Sequence, residues 1–116
     1  MPPTSLGART LARQLPTRTG ERVLLQGWVH HTRNLSAVDF LLLRDRTGIT
    51  QVVVESPRQR SLLATLPHES VVSVVGTVVV SYQAAAGVEI HEPEITPISV
   101  PDEEPPIELF RPTLDV

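Results

Sequence analysis

The chain predicts a small, strongly curled β-barrel, and three observations carry that expectation. Short alternating apolar runs recur along most of the length, separated by turns rich in Gly, Pro, Asn and Asp. Two of the longer runs have a glycine at their centre, Gly27 and Gly76, where a strand must bend or admit a close neighbour. Between residues 70 and 81 valine fills seven positions, and such β-branched residues favour the pleated strand over the helix.

The elements follow in order. Leu6, Leu11 and Leu15 stand at near-helical spacing, with Thr4 or Ser5 as a possible N-cap and Pro16 as the stop, so a short helix is expected over residues 5–15. Residues 17–20 form a turn, and a first strand runs over 21–33. Its apolar residues occupy both parities (Val23, Leu25 and Val29 against Leu24 and Trp28), as in a long strand that curls, with Gly27 as its bulge or bend. A turn at 34–37 leads to a second strand over 38–44, with Phe40, Leu42 and Arg44 on one side and Leu41 and Leu43 on the other. The tight turn Asp45-Arg46-Thr47-Gly48 then gives a third strand over 49–55. Residues 56–66 open on Pro57 and carry Leu62, Leu63 and Leu66, which reads as a helix plugging one barrel end, closed by Pro67. A fourth strand spans 70–81, a small-residue hairpin loop 82–87, and a fifth strand 88–100, bulged or edge-lying at Pro93 and Pro97.

The order β-β-β-α-β-β, preceded by a short helix and with glycine inside two long strands, is that of the OB-fold. This all-β class with short helices is a five-stranded Greek-key barrel whose binding face is built largely from strands two and three. Residues 1–100 make the domain. Residues 101–116 hold four prolines and five acids and read as a hinge or linker leaving it.

Composition narrows the function. At 116 residues the chain is one domain with one modest core, and two Phe, one Trp and one Tyr leave that core to aliphatic residues. With no cysteine there is no disulfide and no thiolate metal site, and with no apolar run of about 18 residues there is no membrane helix, so a cytoplasmic protein is expected. A net charge of −3 argues against a general nucleic-acid binder. The distribution is uneven, however: residues 1–60 carry nine arginines against four acids, and residues 61–116 one arginine against nine acids. This is either arginine-rich usage with an acidic tail, or a local positive field on the early strands. No nucleophile–base pair, phosphate loop or dinucleotide fingerprint occurs, so the job is recognition rather than catalysis.

The candidate site lies within the first three strands. An aromatic residue in a strand is ordinarily core. Phe40, however, shares its side with Arg44 while Leu41 and Leu43 already fill the inner face, so its ring is expected to point outward, where it can stack on a base. Gln51 alternates with Val52 and lies beside Phe40 across the strand pair, an amide able to read a base edge; a solvated strand residue is the plainer alternative. Arg33 and Arg44 suit phosphate or base contacts, although Arg44 could equally pair with a neighbouring Asp. His30 and His31 adjoin, so a strand sends them to opposite sides, and neither they nor His68 and His91 show ligand spacing; no metal site and no catalytic residue is expected.

The segment GWVHHTRNLSAVDFLLLRDRTGITQVVV resembles the anticodon-binding domain of class II aspartyl-tRNA synthetases, and more loosely that of the asparaginyl and lysyl enzymes. The shared pattern is Gly-Trp-Val, Arg-Asn-Leu, Phe with an apolar strand, and Arg-Asp-Arg-x-Gly-Ile-x-Gln-Val. It extends from about residue 11 to residue 100, and the tail PPIELFRPTLDV looks like the start of a hinge. The resemblance implies that Phe40 stacks on a central uridine of the anticodon, that Gln51 hydrogen-bonds it, that Arg33 contacts the loop and that Glu89 reads the first anticodon base. His30, with a residue 82–87 loop of alanines rather than lysine, resembles the relaxed enzymes that charge both aspartate and asparagine tRNAs. It also implies that ATP and Mg belong to a catalytic domain outside these 116 residues. The expected partners are the tRNA anticodon loop and that catalytic domain, in a homodimeric full-length enzyme, with the isolated fragment expected as a monomer. Two other readings stand beside it: a free-standing OB domain binding single strands without sequence preference, and a protein-interaction module that docks through the acidic segment 102–108.

Overall fold

A computed structural model describes residues 8–100. Five strands form a closed barrel: β1 (Arg22–Asn34), β2 (Asp39–Asp45), β3 (Gly48–Val54), β4 (Val71–Val80) and β5 (Val88–Ser99), in the spatial order β1-β2-β3-β5-β4. One helix, α1 (Pro57–Ala64), connects β3 to β4. This is the five-stranded OB-fold topology expected from the order of the elements. The expected linker at 101–116 lies outside the described residues.

β1 is long because it serves two neighbours. Its first half, Arg22 to Trp28, pairs antiparallel with β4, and its second half, Trp28 to Asn34, pairs with β2. The hand-over at Trp28 curls the sheet into a barrel. Gly27 sits at that corner, where a Cβ would drive into the backbone carbonyl of Arg44. The bulge expected at Gly27 lies instead at His30, the extra residue between Val29, opposite Leu43, and His31, opposite Leu42. Gly27 thus allows close approach of two strands rather than an irregular register. On the far side, β4 and β5 shift register between Val75 and Thr77 and between Val71 and Val72, where Pro93 and Pro97 interrupt β5. Closure comes from a parallel contact of β3 with β5, Val52 opposite Ile90.

Alternation fills the interior. Val23, Leu25 and Val29 from β1, Leu41 and Leu43 from β2, Val52 and Val54 from β3, Val72, Val74 and Val78 from β4 and Ile90 from β5 are all buried together. α1 covers one end with Leu63, and Leu62 and Leu66 pack against the same core. Ser56 caps α1 by accepting from the Gln59 N–H at 3.3 Å, with Pro57 in the first turn. Buried Gln59 in turn accepts the Ile95 N–H at 3.0 Å, which ties the helix to β5.

The other end is closed differently from expectation. Of the helix expected over residues 5–15, Leu6 and the cap at Thr4 or Ser5 lie outside the described residues, and the described part carries a 3₁₀ segment instead, Ala12–Thr17, that includes Pro16. Its start is set from afar: Asp45, at the end of β2, accepts the Ala12 N–H at 2.8 Å. Asp45 also accepts the Thr47 N–H and hydroxyl, both at 2.7 Å, and is 5% exposed. Burial pushes its carboxyl up, but the hydrogen bonds from Thr47, Ala12 and Gly48 outweigh that and hold its pKa below the ordinary aspartate value. Such a group stabilises the fold fully above its unfolded pKa and loses that contribution as pH falls through the lower folded value. Asp45→Ala leaves several buried donors without an acceptor and is expected to cost about 2 kcal/mol in urea unfolding at pH 7. The same variant should also lose less stability than the parent between pH 5 and pH 2.

Candidate nucleic-acid interface

The outer face of the barrel is fixed by strand register. Directly opposed residues lie on one face, and successive residues alternate, so three rows can be read across the strands. The first runs Arg33–Phe40–Val53, the second His31–Leu42–Gln51, and the third Trp28–Arg44–Ile49. Phe40 lies outside the buried core and is only partly covered, while Leu41 and Leu43 on either side of it are buried. Gln51 sits one row along and one strand over, a diagonal neighbour of the ring, at the roughly 7–8 Å spacing usual for such pairs.

β2 holds this orientation at both ends. Asp39, 3% exposed, accepts from Asn34 Nδ2 at 2.9 Å and from the Arg60 guanidinium at 3.3 Å, and Arg60 also donates to the Leu35 carbonyl at 3.2 Å. The residue before Phe40 is thereby tied to α1 and to the β1–β2 turn. Asp45 performs the same service at the opposite end. With both carboxylates turned inward, the alternating residues Phe40, Leu42 and Arg44 face out.

β5 adds a carboxylate to the face. Gln51 Nε2 donates to Glu89 Oε1 at 2.8 Å, and His91 Nε2 donates to Glu89 Oε2 at 2.7 Å. The Glu89 side chain is 15% exposed. Burial raises the pKa of this carboxyl, yet the hydrogen bonds from His91, Gln51 and Ser81, with the charge interaction to His91, more than offset it, and the value falls below that of an ordinary glutamate. Glu89 is therefore an ionised acceptor held from several sides. Since the Gln51 amide donates to Glu89, its carbonyl oxygen remains to accept an N–H from a ligand.

The remaining sequence-derived residues fall at the margins. Arg33 and Arg44 are exposed, and neither forms an ion pair with a described residue; the alternative pairing of Arg44 with a neighbouring Asp does not occur, because Asp45 points inward. His30 is the exposed bulge residue. His31 is exposed as well, so the bulge leaves neither imidazole inside the barrel, and the His31 ring lies 5.9 Å from that of His68 at a tilt of 45°. The structure thus joins Phe40, Gln51 and Glu89 with Arg33 in one patch, with Arg44 at its far end. His91 and Ser81 escaped sequence reasoning. The i, i+2 spacing of Glu89 and His91 was the available signal, since it puts both on one side of a strand.

Comparison with known proteins gives this geometry a context. Residues 23–98 match a family of tRNA anticodon domains described as the OB-fold nucleic acid binding domain. The chain is 43% identical over 107 residues to an aspartate–tRNA(Asp/Asn) ligase of Deinococcus radiodurans, covering 91% of the chain and 23% of the relative. It is 41% identical over 99 residues to the enzyme of the same name from Methanopyrus kandleri, covering 80% of the chain and 22% of the relative. The crystal structure of asparaginyl-tRNA synthetase from Pyrococcus horikoshii complexed with asparaginyl-adenylate superposes with a TM-score of 0.75 at 30% identity, over 84% of this chain and 24% of that one. The chain therefore spans less than a quarter of the length of these proteins. On the match over residues 23–98, the barrel and these relatives, the chain belongs to the OB-fold nucleic-acid-binding family of tRNA anticodon domains.

Proposed function

We propose that this domain recognises the anticodon loop of a tRNA within an aspartate–tRNA(Asp/Asn) ligase. The observation that carries the proposal is the hydrogen bond from Gln51 to Glu89 beside an outward-facing Phe40. The ring offers a stacking platform for an unstacked base. The free Gln51 carbonyl suits the imino N–H of uracil and not the bare ring nitrogen that cytosine carries at the same place, which accords with a central uridine. Glu89, ionised and aimed by its neighbours, can accept from the imino and amino hydrogens of guanine at the first anticodon position. Arg33, exposed in the same row as Phe40, contacts the loop backbone. Exposed His30 lies at the edge of this patch and tolerates either third base, which is what reading both aspartate and asparagine anticodons requires. In this reading, amino-acid activation with ATP and magnesium belongs to the part of the relatives that this chain does not span, and the 116 residues supply recognition alone.

Three measurements test it, all on the 116-residue chain with a fluorescent anticodon stem-loop. Phe40→Ala should weaken binding about 5- to 150-fold, the range for loss of one base–aromatic stack of roughly 1–3 kcal/mol. Gln51→Ala should remove the preference for a central uridine over cytidine. Unchanged affinity in the first and unchanged preference in the second would remove the reading face assigned here. Loops ending in cytosine or uracil at the third position should bind within a few-fold of each other; a strong preference for cytosine overturns the dual specificity.

The acid limb of binding is a separate test. Glu89 must be ionised to accept two hydrogens from guanine, and its lowered pKa keeps it so below the ordinary value of 4.5. His91→Phe removes a donor to Glu89, raises that pKa and should move the loss of binding on acidification to higher pH. Glu89→Gln should instead abolish the preference for guanine over adenine at the first position at every pH.

A further inference from the structure

The Arg44 end of the reading face opens onto a second concavity of about 610 Å³, lined by Arg13, Arg44, Arg46, Ile49, Ala85 and Ala86. Its walls come from three separate parts of the chain: the 3₁₀ segment, the β2–β3 turn and the β4–β5 loop. Hydrogen bonds at Asp45 tie the first two together, and the Arg13 N–H adds one to Thr47 Oγ1 at 3.2 Å. Three guanidinium groups thus surround one groove, and none of them forms an ion pair with a described residue. The only acid in the lining is Asp45, which is buried and spent on backbone and hydroxyl donors, so the side chains of the groove carry a net positive charge of two. Like charges gathered at one place without a counter-charge are costly unless an anion joins them. Ala85 and Ala86 add only small side chains to the lining.

We propose that this groove seats phosphodiester groups of the same RNA strand whose bases are read at Phe40, Gln51 and Glu89. The inference rests on the reading face proposed above and extends it. Arg44 belongs to both surfaces, which makes the path continuous. Guanidinium groups suit the role because each presents a planar fork to phosphate oxygens. A phosphate contact holds position without reading sequence, so the groove adds affinity equally for every base while the Phe40 face supplies choice.

The test uses Arg13→Gln/Arg46→Gln, which leaves Arg44 and the reading face intact. Binding of the anticodon stem-loop is measured between 50 and 300 mM salt, with uridine or cytidine at the centre. Removal of two phosphate contacts should lower the slope of log K against log salt by about 1.4 and weaken binding at the lowest salt on the order of 10- to 100-fold. The uridine-to-cytidine ratio should stay as in the parent, and Arg13→Lys/Arg46→Lys should restore most of the slope. If the double glutamine variant keeps the parental slope and affinity while Phe40→Ala still weakens binding, the groove does not touch RNA and the reading face stands. Should neither variant change binding, both assignments fall together. A glutamine variant that loses base preference without any change in slope also overturns the proposal, because it would make these arginines readers rather than phosphate seats.

Discussion

The inward row of β2, Asp39-Leu41-Leu43-Asp45, decides where everything else in the site can be. Two leucines hold the strand in the core, and a carboxylate at each end is taken up by donors from other elements: Arg60 and Asn34 at one end, Ala12 and Thr47 at the other. A slip of one residue would carry Phe40 and Arg44 into a valine-lined interior and strip both carboxylates of their partners. The outward direction of the ring is therefore a consequence of burial and hydrogen bonding elsewhere on the strand. The recognition chemistry proposed for this face rests on a structural constraint set by other residues of the same strand.

Barrel closure does the rest of the assembly. β1 turns from β4 to β2 at Trp28, and this places Arg33 and His31 beside Phe40 and Leu42. The parallel contact of β5 with β3 carries Glu89 to Gln51 across 38 positions of sequence. Each group of the candidate face stands on a strand whose inner side is packed, which holds its geometry steady. The hydrogen bonds around Glu89 work in the same sense, since they fix the charge state and direction of the carboxylate and orient the Gln51 amide.

Much of this was legible in the residues. The period-two pattern around Leu41 and Leu43, with Arg44 on the opposite side, was enough to turn Phe40 outward, and Pro93 and Pro97 marked where β5 departs from regular pairing. What the sequence hid was long-range. The leucine spacing before Pro16 suggested a helix over residues 5–15, but the described part is a 3₁₀ turn beginning at Ala12, because Asp45, 33 positions away, supplies the first hydrogen-bond acceptor. Pro16 fits that tighter turn, where it has no N–H to satisfy. The bulge at His30 has no glycine or proline to announce it. The bond from Gln51 to Glu89, and the part of His91 in it, depends on which strands become neighbours when the sheet closes, and no local pattern encodes that choice.

Each strand of the closed sheet turns one side to the packed interior and the other away from it. Inner and outer positions along a strand consequently answer to separate demands. Inward residues can stay fixed while outward ones are exchanged, at little risk to folding. A scaffold divided in this way can change what it recognises by a handful of surface substitutions, and its architecture can persist long after its specificity has drifted.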